Sequence, residues 1–133
     1  MMDDKGDFTY DQVNFAGLPD YIEEMKAQGI RFVPIIDPAI PSTRANYDVY
    51  TRGLAADAYV KFTNGSNLVG NVWPPEPVTF PDYFRPQTHE WWADEIQRFY
   101  EVIKFDGLWI VSKKVLGALK NTRFAVDWSI RII

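Results

Sequence analysis

The stretch FDGLWI at residues 105–110 decides the fold of this chain. It is short and almost continuously apolar, and it follows a segment with helical periodicity. This pattern is typical of a parallel strand whose two faces are both covered. The next residue, Val111, begins a basic tail of different character. We therefore predict an α/β fold in which this strand ends at the sheet edge where parallel strands carry functional side chains.

The residues before this strand repeat the alternation of helix and strand. Apolar residues recur at helical spacing over 18–25, with Pro19 in the first turn and Gly29 just past the end, which predicts a helix of about three turns. Residues 31–37 then form a second apolar strand, although Pro34 cannot donate to a sheet ladder.

A long irregular excursion at about residues 38–86 separates the two strands. Inside it, residues 59–62 and 68–72 flank the turn signal NGSN at residues 64–67, which predicts a β-hairpin. A second helix follows Pro86. The order helix, strand, long loop, helix, strand is typical of a (β/α) barrel with an inserted subdomain. The apolar face of the second helix is predicted to consist of Trp92, Ile96, Phe99, Tyr100 and Ile103.

Composition excludes several kinds of protein and site. The chain has 133 residues, of which 47% are hydrophobic, so it is one ordinary domain or a piece of a larger one. It has no Cys, which excludes disulfides and Cys-based zinc sites, and its single His89 excludes a multi-His metal site. No apolar run approaches a membrane span, and the opening MMDD is not a signal peptide. The glycosylation sequon NGS at residues 64–66 matters only if the chain is secreted, so the compartment stays open.

Charge is divided unevenly along the chain. Residues 1–110 hold 9 basic and 17 acidic residues, a net charge of −8, whereas residues 111–133 hold 5 basic and 1 acidic residue, a net charge of +4. The acidic body argues against nucleic-acid binding, which needs a basic face. The basic tail is either an anchor for an anionic surface or sequence foreign to the domain, and we favour the second interpretation.

Four motifs together resemble the retaining α-glucosidases of glycoside hydrolase family 31. They are IIDPAI at residues 35–40, VWP at 72–74, FPD at 80–82 and FDGLWI at 105–110. Each motif is weak alone, but their order and spacing are specific. The resemblance covers residues 2–110 and is greatest to the maltase, sucrase and lysosomal α-glucosidase group of the family.

The resemblance implies an α/β fold that is a fragment of a (β/α)₈ TIM barrel. Residues 31–37 and 105–110 correspond to about strands three and four, and the hairpin subdomain at about 38–86 is inserted between them. Residues 1–110 would form the partial catalytic barrel. The implied activity is hydrolysis of terminal α-linked glucose with retention, without a cofactor, on an α-glucoside or α-glucan. Family members are often secreted, lysosomal or membrane-tethered.

The resemblance stops one residue before the family nucleophile. The family strand continues as Trp-Ile-Asp-Met-Asn-Glu, and its Asp attacks the sugar, whereas this sequence has Val111 at that position. Retaining glycosidases need two carboxyl groups about 5–5.5 Å apart. The family acid/base would lie beyond residue 133, and a sugar-binding Asp would precede residue 1. We therefore expect no catalytic residue and no glycosidase activity. The alternatives are a non-catalytic carbohydrate-binding or regulatory fragment, or a product without function.

Three positions match substrate contacts of the family, and each also has a structural interpretation. Trp73 corresponds to a Trp that lines the glucose pocket, where an indole suits the apolar face of a pyranose; otherwise it closes a hairpin core. Ile35 matches an apolar residue near the same subsite, or is simply core. Asp37 either orients polar groups of the pocket or fixes an Asp-Pro turn. The family's Trp-Pro-Gly is Trp73-Pro74-Pro75 here, which restricts the backbone.

Other acidic residues are predicted to be structural or solvated. Glu23-Glu24 and Asp94-Glu95 are adjacent pairs that cannot face one another on a helix, so they indicate solvated helix faces. Asp106 begins its strand at the bottom of the barrel, where residues contribute to stability.

The two predicted strands would leave unpaired edges in an isolated fragment. We therefore expect the chain to be partly unfolded or to self-associate. Residues 124–132 alternate in polarity and would either supply a substitute strand or promote aggregation. A monodisperse monomer in sedimentation velocity, with a sharp thermal transition, would contradict this expectation.

The first residues of the tail predict its origin. Val111-Ser112 is what an in-frame GTAAGT, the common splice-donor sequence, would encode. We hypothesise that residues 111–133 arise by intron read-through, and we expect this hexamer at codons 111–112 of the gene. Genomic sequencing checks the prediction, which a different hexamer at these codons would contradict.

Overall fold

The computed structural model describes residues 1–110. In chain order the elements are the 3₁₀ turn Asp3–Lys5, α1 Leu18–Ala27, β1 Ile35–Ile36, β2 Ile40–Pro41, α2 Asp48–Ala55, β3 Val69–Gly70, β4 Val78–Thr79, α3 Pro86–Val102 and β5 Trp109–Ile110. The predictions made for Val111 and for the rest of the tail lie outside the described residues.

Both predicted helices are confirmed. Pro19 lies in the first turn of α1, and Gly29, with a φ of 80°, follows its end. α3 begins at Pro86, because proline fixes φ at a position where a helix needs no N–H donor. None of the helices in residues 1–110 is long and apolar enough to cross a membrane.

The core is built around aromatic side chains of α3. Trp91 and Trp92 are both buried and pack with Tyr59 of the insert and Ile36 of β1. The buried face therefore differs from the predicted one, because Trp91 belongs to it, whereas Tyr100 is 37% exposed. A second cluster packs α1 against the end of α3. It contains Ile22, Phe99 and Ile103.

β1 and β5 form a two-stranded parallel sheet in which Ile35 pairs with Trp109. Both strands are shorter than the predicted runs 31–37 and 105–110, because Pro34 has no N–H with which to extend the ladder. The Pro34 carbonyl still accepts a hydrogen bond from the Trp109 N–H at 2.9 Å. The regular pairing of β1 with β5 is therefore two residues long, and single hydrogen bonds extend it toward the amino-terminal ends of the two segments.

Asp106 holds the amino-terminal end of this sheet together. The Phe32 N–H donates to Asp106 Oδ2 at 2.9 Å, and the Asp106 N–H donates to the Phe32 carbonyl at 2.8 Å. Arg31 Nη1 donates to Asp106 Oδ1 at 3.1 Å. The Phe32 N–H and the Arg31 guanidinium lower the pKa of Asp106. This is the structural role predicted from the sequence.

Within residues 1–110, only one face of the β1–β5 pair is covered. Ile36 is 1% exposed and lies in the core, whereas Val33, Ile35 and Trp109 are 51%, 38% and 59% exposed. The prediction that both faces are covered is therefore wrong for the described part of the chain. Self-association, which was expected through the unpaired strand edges, stays a prediction.

The excursion at residues 38–86 contains a three-stranded antiparallel sheet in the order β2–β4–β3. The predicted turn at 64–67 is present, because the Phe62 N–H donates to the Ser66 carbonyl at 2.8 Å. The predicted hairpin strands pair with each other only next to this turn, through the Lys61–Asn67 bridge and the hydrogen bond that the Leu68 N–H donates to the Val60 carbonyl at 2.7 Å. β3 pairs with β4, and residues 59–62 contribute only isolated bridges.

The insert also contains α2, which the sequence analysis missed. Gly53 lies within this helix, and glycine lowers helix propensity by about 1 kcal/mol. A Cβ atom at position 53 would lie 2.2 Å from the Tyr59 hydroxyl and 3.0 Å from the Trp91 ring. Glycine therefore allows α2 to pack closely against these two aromatic side chains.

Glu95 is buried at 1% exposure and is not solvated, so the prediction for it is wrong. Arg52 Nε and Nη2 donate to its two carboxylate oxygens at 2.5 and 2.7 Å. Arg52 lies on α2 and Glu95 on α3, so the bidentate pair joins the insert to the main body. The partners are 43 residues apart in sequence, and no local pattern reveals their contact.

Replacement of Arg52 by Ala should lower the free energy of unfolding by about 3 kcal/mol, because it leaves the Glu95 charge buried without its partner. Adding Glu95→Gln should recover part of the loss, since the remaining group is neutral. Urea unfolding followed by tryptophan fluorescence measures both.

Asp48→Asn is the matched control for this prediction. Asp48 also pairs with Arg52, at 3.8 Å, but its side chain is 80% exposed. We expect its replacement to change the unfolding free energy by less than about 0.5 kcal/mol. An equal loss in Arg52→Ala and Asp48→Asn would contradict the buried-pair explanation.

Candidate functional site

The candidate site lies where β1 and β5 end. The register aligns Ile36 with Ile110, so the two parallel strands reach the same edge of the sheet. Asp37 follows Ile36 directly. Ile35 and Asp37 therefore lie on one segment, whereas Val111 follows Ile110 in the sequence and lies outside the described residues.

Asp37 is held by a second acid, Asp7, from the loop before α1. The Asp37 N–H donates to both carboxylate oxygens of Asp7, at 3.0 and 3.1 Å. Asp7 is 1% exposed. Asp37 Oδ1 is also buried, and it has no hydrogen-bond partner among the described residues. A buried carboxylate oxygen without a donor is costly, and a ligand hydroxyl could supply that donor.

Three interactions fix the loop that carries Asp7. The Tyr47 hydroxyl donates to the Asp7 carbonyl at 2.9 Å. Arg44 donates to the carbonyls of Asp3 and Asp4, each at 2.8 Å. The neighbouring residue Phe8 has a φ of 59°, a rare value for a side chain of that size. The surrounding contacts hold this costly conformation, which places Asp7 beneath the end of β1.

Phe8 anchors the same loop in the core. Its ring lies edge-on to Trp92 with centroids 4.9 Å apart, and edge-on to Phe99 at 6.2 Å. These aromatic pairs favour one position of the loop relative to α3. The role of Asp7 could not be predicted from the sequence, because this residue lies in an acidic stretch of the kind that is typical of a solvated surface. Its burial follows from contacts with residues 30 and 40 positions away.

Burial dominates the electrostatics of this pair. Desolvation raises the pKa of Asp7 well above its ordinary value of 3.8; the Asp37 N–H opposes the rise, and the Asp37 carboxylate adds to it. Burial also raises the pKa of Asp37. The phenols that face Asp7, those of Tyr47 and Tyr83, have pKa values raised by burial and by the Asp7 charge.

Trp73 comes from a different part of the chain. It is half-buried in the bend between β3 and β4, next to the buried Pro74 and the exposed Pro75. β4 pairs with β2, whose first residue, Ile40, lies three positions after Asp37. Trp73 is thus connected to the end of β1 through the sheet of the insert.

Two shallow grooves lie away from this edge. One of about 290 Å³ is lined by residues of the insert that include Tyr59 and Asn67. The other, of about 380 Å³, lies between α2 and α3 beside Arg52 and Glu95. Neither is lined by Ile35, Asp37 or Trp73. Within residues 1–110, no three His, Asp or Glu side chains are grouped so that they could hold a metal ion.

Comparison with known proteins gives consistent matches. A family model described as the glycosyl hydrolases family 31 TIM-barrel domain matches residues 1–121. Intestinal sucrase-isomaltase of Oryctolagus cuniculus is 41% identical over 129 residues, which cover 90% of this chain and 7% of that protein. Lysosomal alpha-glucosidase of Mus musculus is 38% identical over 111 residues, which cover 82% of this chain and 12% of that protein.

A solved structure shows the same fold. The glucosidase II alpha subunit in its alpha3-Glc2-bound form matches with a TM-score of 0.73 and 30% identity, over 82% of this chain and 12% of that one. The chain therefore spans only about a tenth of the length of the relatives that it matches.

Replacement of Asp7 by Asn should reduce the dependence of stability on pH. As the pH rises above 3.8, the unfolded carboxyl ionises while the folded carboxyl keeps its proton. The free energy of unfolding therefore falls until the pH passes the raised folded pKa. The side-chain oxygen of the Asn in this variant would accept the same hydrogen bond without a charge. The free energy of unfolding of Asp7→Asn should therefore vary less with pH between pH 4 and pH 8 than that of the wild type.

Urea midpoints of the wild type and Asp7→Asn over this range check the prediction. The carboxyl groups with lowered pKa values lose their stabilisation at lower pH and affect both proteins equally; they are Asp11, Asp57, Glu76 and Asp106. Parallel profiles for the two proteins would show that burial of Asp7 does not shift its pKa.

Proposed function

The chain belongs to glycoside hydrolase family 31, and on that premise we propose that it is part of the catalytic barrel of a retaining α-glucosidase that does not hydrolyse substrate alone. In this proposal, residues 31–37 and 105–110 are barrel strands three and four, and residues 38–86 are the insert between them. The parallel pairing of β1 with β5 and the position of α3 between them in sequence support this assignment.

The proposal that the chain is inactive rests on the residue that follows β5. The family nucleophile follows a Trp-Ile pair, and here Trp109-Ile110 is followed by Val111. A valine side chain has no lone pair with which to attack an anomeric carbon. A retaining mechanism requires two carboxyl groups, so loss of the nucleophile removes the covalent step entirely.

Ile35, Asp37 and Trp73 are the residues that we assign to the sugar. The buried Asp37 Oδ1 would accept a hydrogen bond from a hydroxyl group. Trp73 would cover the apolar face of the ring, and the exposed Ile35 would contact the same ring from the strand. The named activities of the relatives, sucrase-isomaltase and lysosomal alpha-glucosidase, suggest an α-glucoside or α-glucan as substrate, with no cofactor.

The purified chain should not hydrolyse p-nitrophenyl α-D-glucopyranoside above the buffer background, because the nucleophile position is Val111. Release of nitrophenol is measured by absorbance. Turnover that survives further purification and disappears in Trp73→Ala would overturn the proposal.

A second candidate function is carbohydrate binding without catalysis. The half-buried Trp73 and the buried Asp37 oxygen favour it, because both could contact a sugar in the absence of the nucleophile. In this case the chain would act as a binding or regulatory fragment.

Methyl α-D-glucopyranoside should then quench tryptophan fluorescence of the chain, and Trp73→Ala should abolish the change. Trp128→Ala is the matched control, because Trp128 lies beyond the residues that the family model matches. Its replacement should leave the sugar-dependent change intact. An identical response in wild type and Trp73→Ala would exclude Trp73 from the site.

A further inference from the structure

The backbone N–H group of Asp37 needs a hydrogen-bond acceptor outside the β1–β5 sheet. β1 ends at Ile36, so the Asp37 N–H is not part of the regular ladder. Pro38 follows, and a proline restricts the residue before it to extended conformations. The direction of the Asp37 side chain therefore depends on what binds its N–H group.

Asp7 binds that N–H group with both of its carboxylate oxygens. A carboxyl group that is 1% exposed loses its hydration, and the loss must be offset by hydrogen bonds. The acid is therefore not a surface group that happens to lie nearby. Tyr47 fixes the Asp7 backbone through its hydroxyl, so the carboxylate has little freedom to follow a displaced strand.

The buried Oδ1 of the Asp37 carboxyl is left for another partner. Asp37 Oδ1 is buried and accepts no hydrogen bond from the described residues. Asp7 thus holds the backbone of Asp37. The Asp37 Oδ1 atom remains available to accept a hydrogen bond from another group. A sugar hydroxyl is such a group.

We propose that Asp7 is a positioning residue for Asp37: by holding the Asp37 N–H, it fixes the direction in which the Asp37 carboxyl meets a sugar hydroxyl. The inference rests on the proposed role of Asp37 in sugar binding. In this proposal Asp7 does not contact the sugar and acts only through the backbone of Asp37.

Two variants separate positioning from general stability. Asp7→Asn keeps an oxygen acceptor for the Asp37 N–H, whereas Asp7→Ala removes it. Arg52→Ala, compared at equal folded fraction, is the control for destabilisation, because Arg52 contacts neither residue of the pair. The full chain is used throughout, with methyl α-D-glucopyranoside as the probe.

The first readout needs no sugar. The amide resonance of Asp37 in a ¹⁵N–¹H correlation spectrum reports its hydrogen bond directly. We expect a clear upfield shift of the amide proton in Asp7→Ala, and only a small change in Asp7→Asn and Arg52→Ala. An Asp37 amide that is unchanged in Asp7→Ala would overturn the proposal.

The second readout is sugar affinity. Asp7→Ala should weaken binding of the glucoside on the order of tenfold, the effect of one misdirected charged hydrogen bond, while Asp7→Asn rescues it. Arg52→Ala should bind as the wild type does. Full affinity in Asp7→Ala would overturn the proposal even if the amide shifts.

Failure of the proposed function gives a different result. If the wild type shows no binding while the Asp37 amide still depends on Asp7, the sugar-binding role of Asp37 is wrong and the holding contact is supported. If Asp7→Ala does not fold, Tyr47→Phe replaces it, because it removes only the bond to the Asp7 carbonyl. It should shift the Asp37 amide in the same direction by less, and no shift would overturn the proposal.

Discussion

The parallel pairing of β1 with β5 is the constraint on which the described fold depends. It joins segments about 70 residues apart, and closing so long a loop costs conformational entropy that local contacts cannot recover. An acidic side chain binds a backbone N–H group at each end of the β1 segment. Asp106 binds the Phe32 N–H at one end, and Asp7 binds the Asp37 N–H at the other. Between these two hydrogen bonds the regular ladder is only two residues long.

Packing of the insert against α3 supports the same pair. The sheet β2–β4–β3 and α2 lie in the segment that separates the two strands, and α2 meets α3 through the buried Arg52–Glu95 pair. The buried Glu95 charge favours one position of the insert, because any movement of α2 relative to α3 would leave this charge without its Arg52 partner. The insert is thereby held at a fixed place relative to β1.

The same geometry separates the two halves of the candidate site. Asp37 lies on a strand end that is held from beneath, whereas Trp73 lies in a bend that contains two prolines. Buried hydrogen bonds fix the end of the strand, and a residue there can therefore present its carboxyl to a sugar hydroxyl at the angle that a hydrogen bond requires. A flat ring that covers one face of a sugar tolerates more freedom, because stacking depends less on angle than a hydrogen bond does. Ile35, the third residue assigned to the sugar, lies on the exposed face of β1, two positions before Asp37.

The sequence by itself determined the family, the two helices α1 and α3, and the segments that contain β1, β3 and β5, because helical periodicity, proline and glycine signals and the four motifs are local features. It also determined that position 111 is a valine. Only the tertiary structure decided that Glu95 and Asp7 are buried, that β3 pairs with β4, and that the strands have one open face. The physical reason is that the burial of Asp7 and Glu95 depends on partners 30 and 43 residues away, at Asp37 and Arg52, which no local pattern can identify.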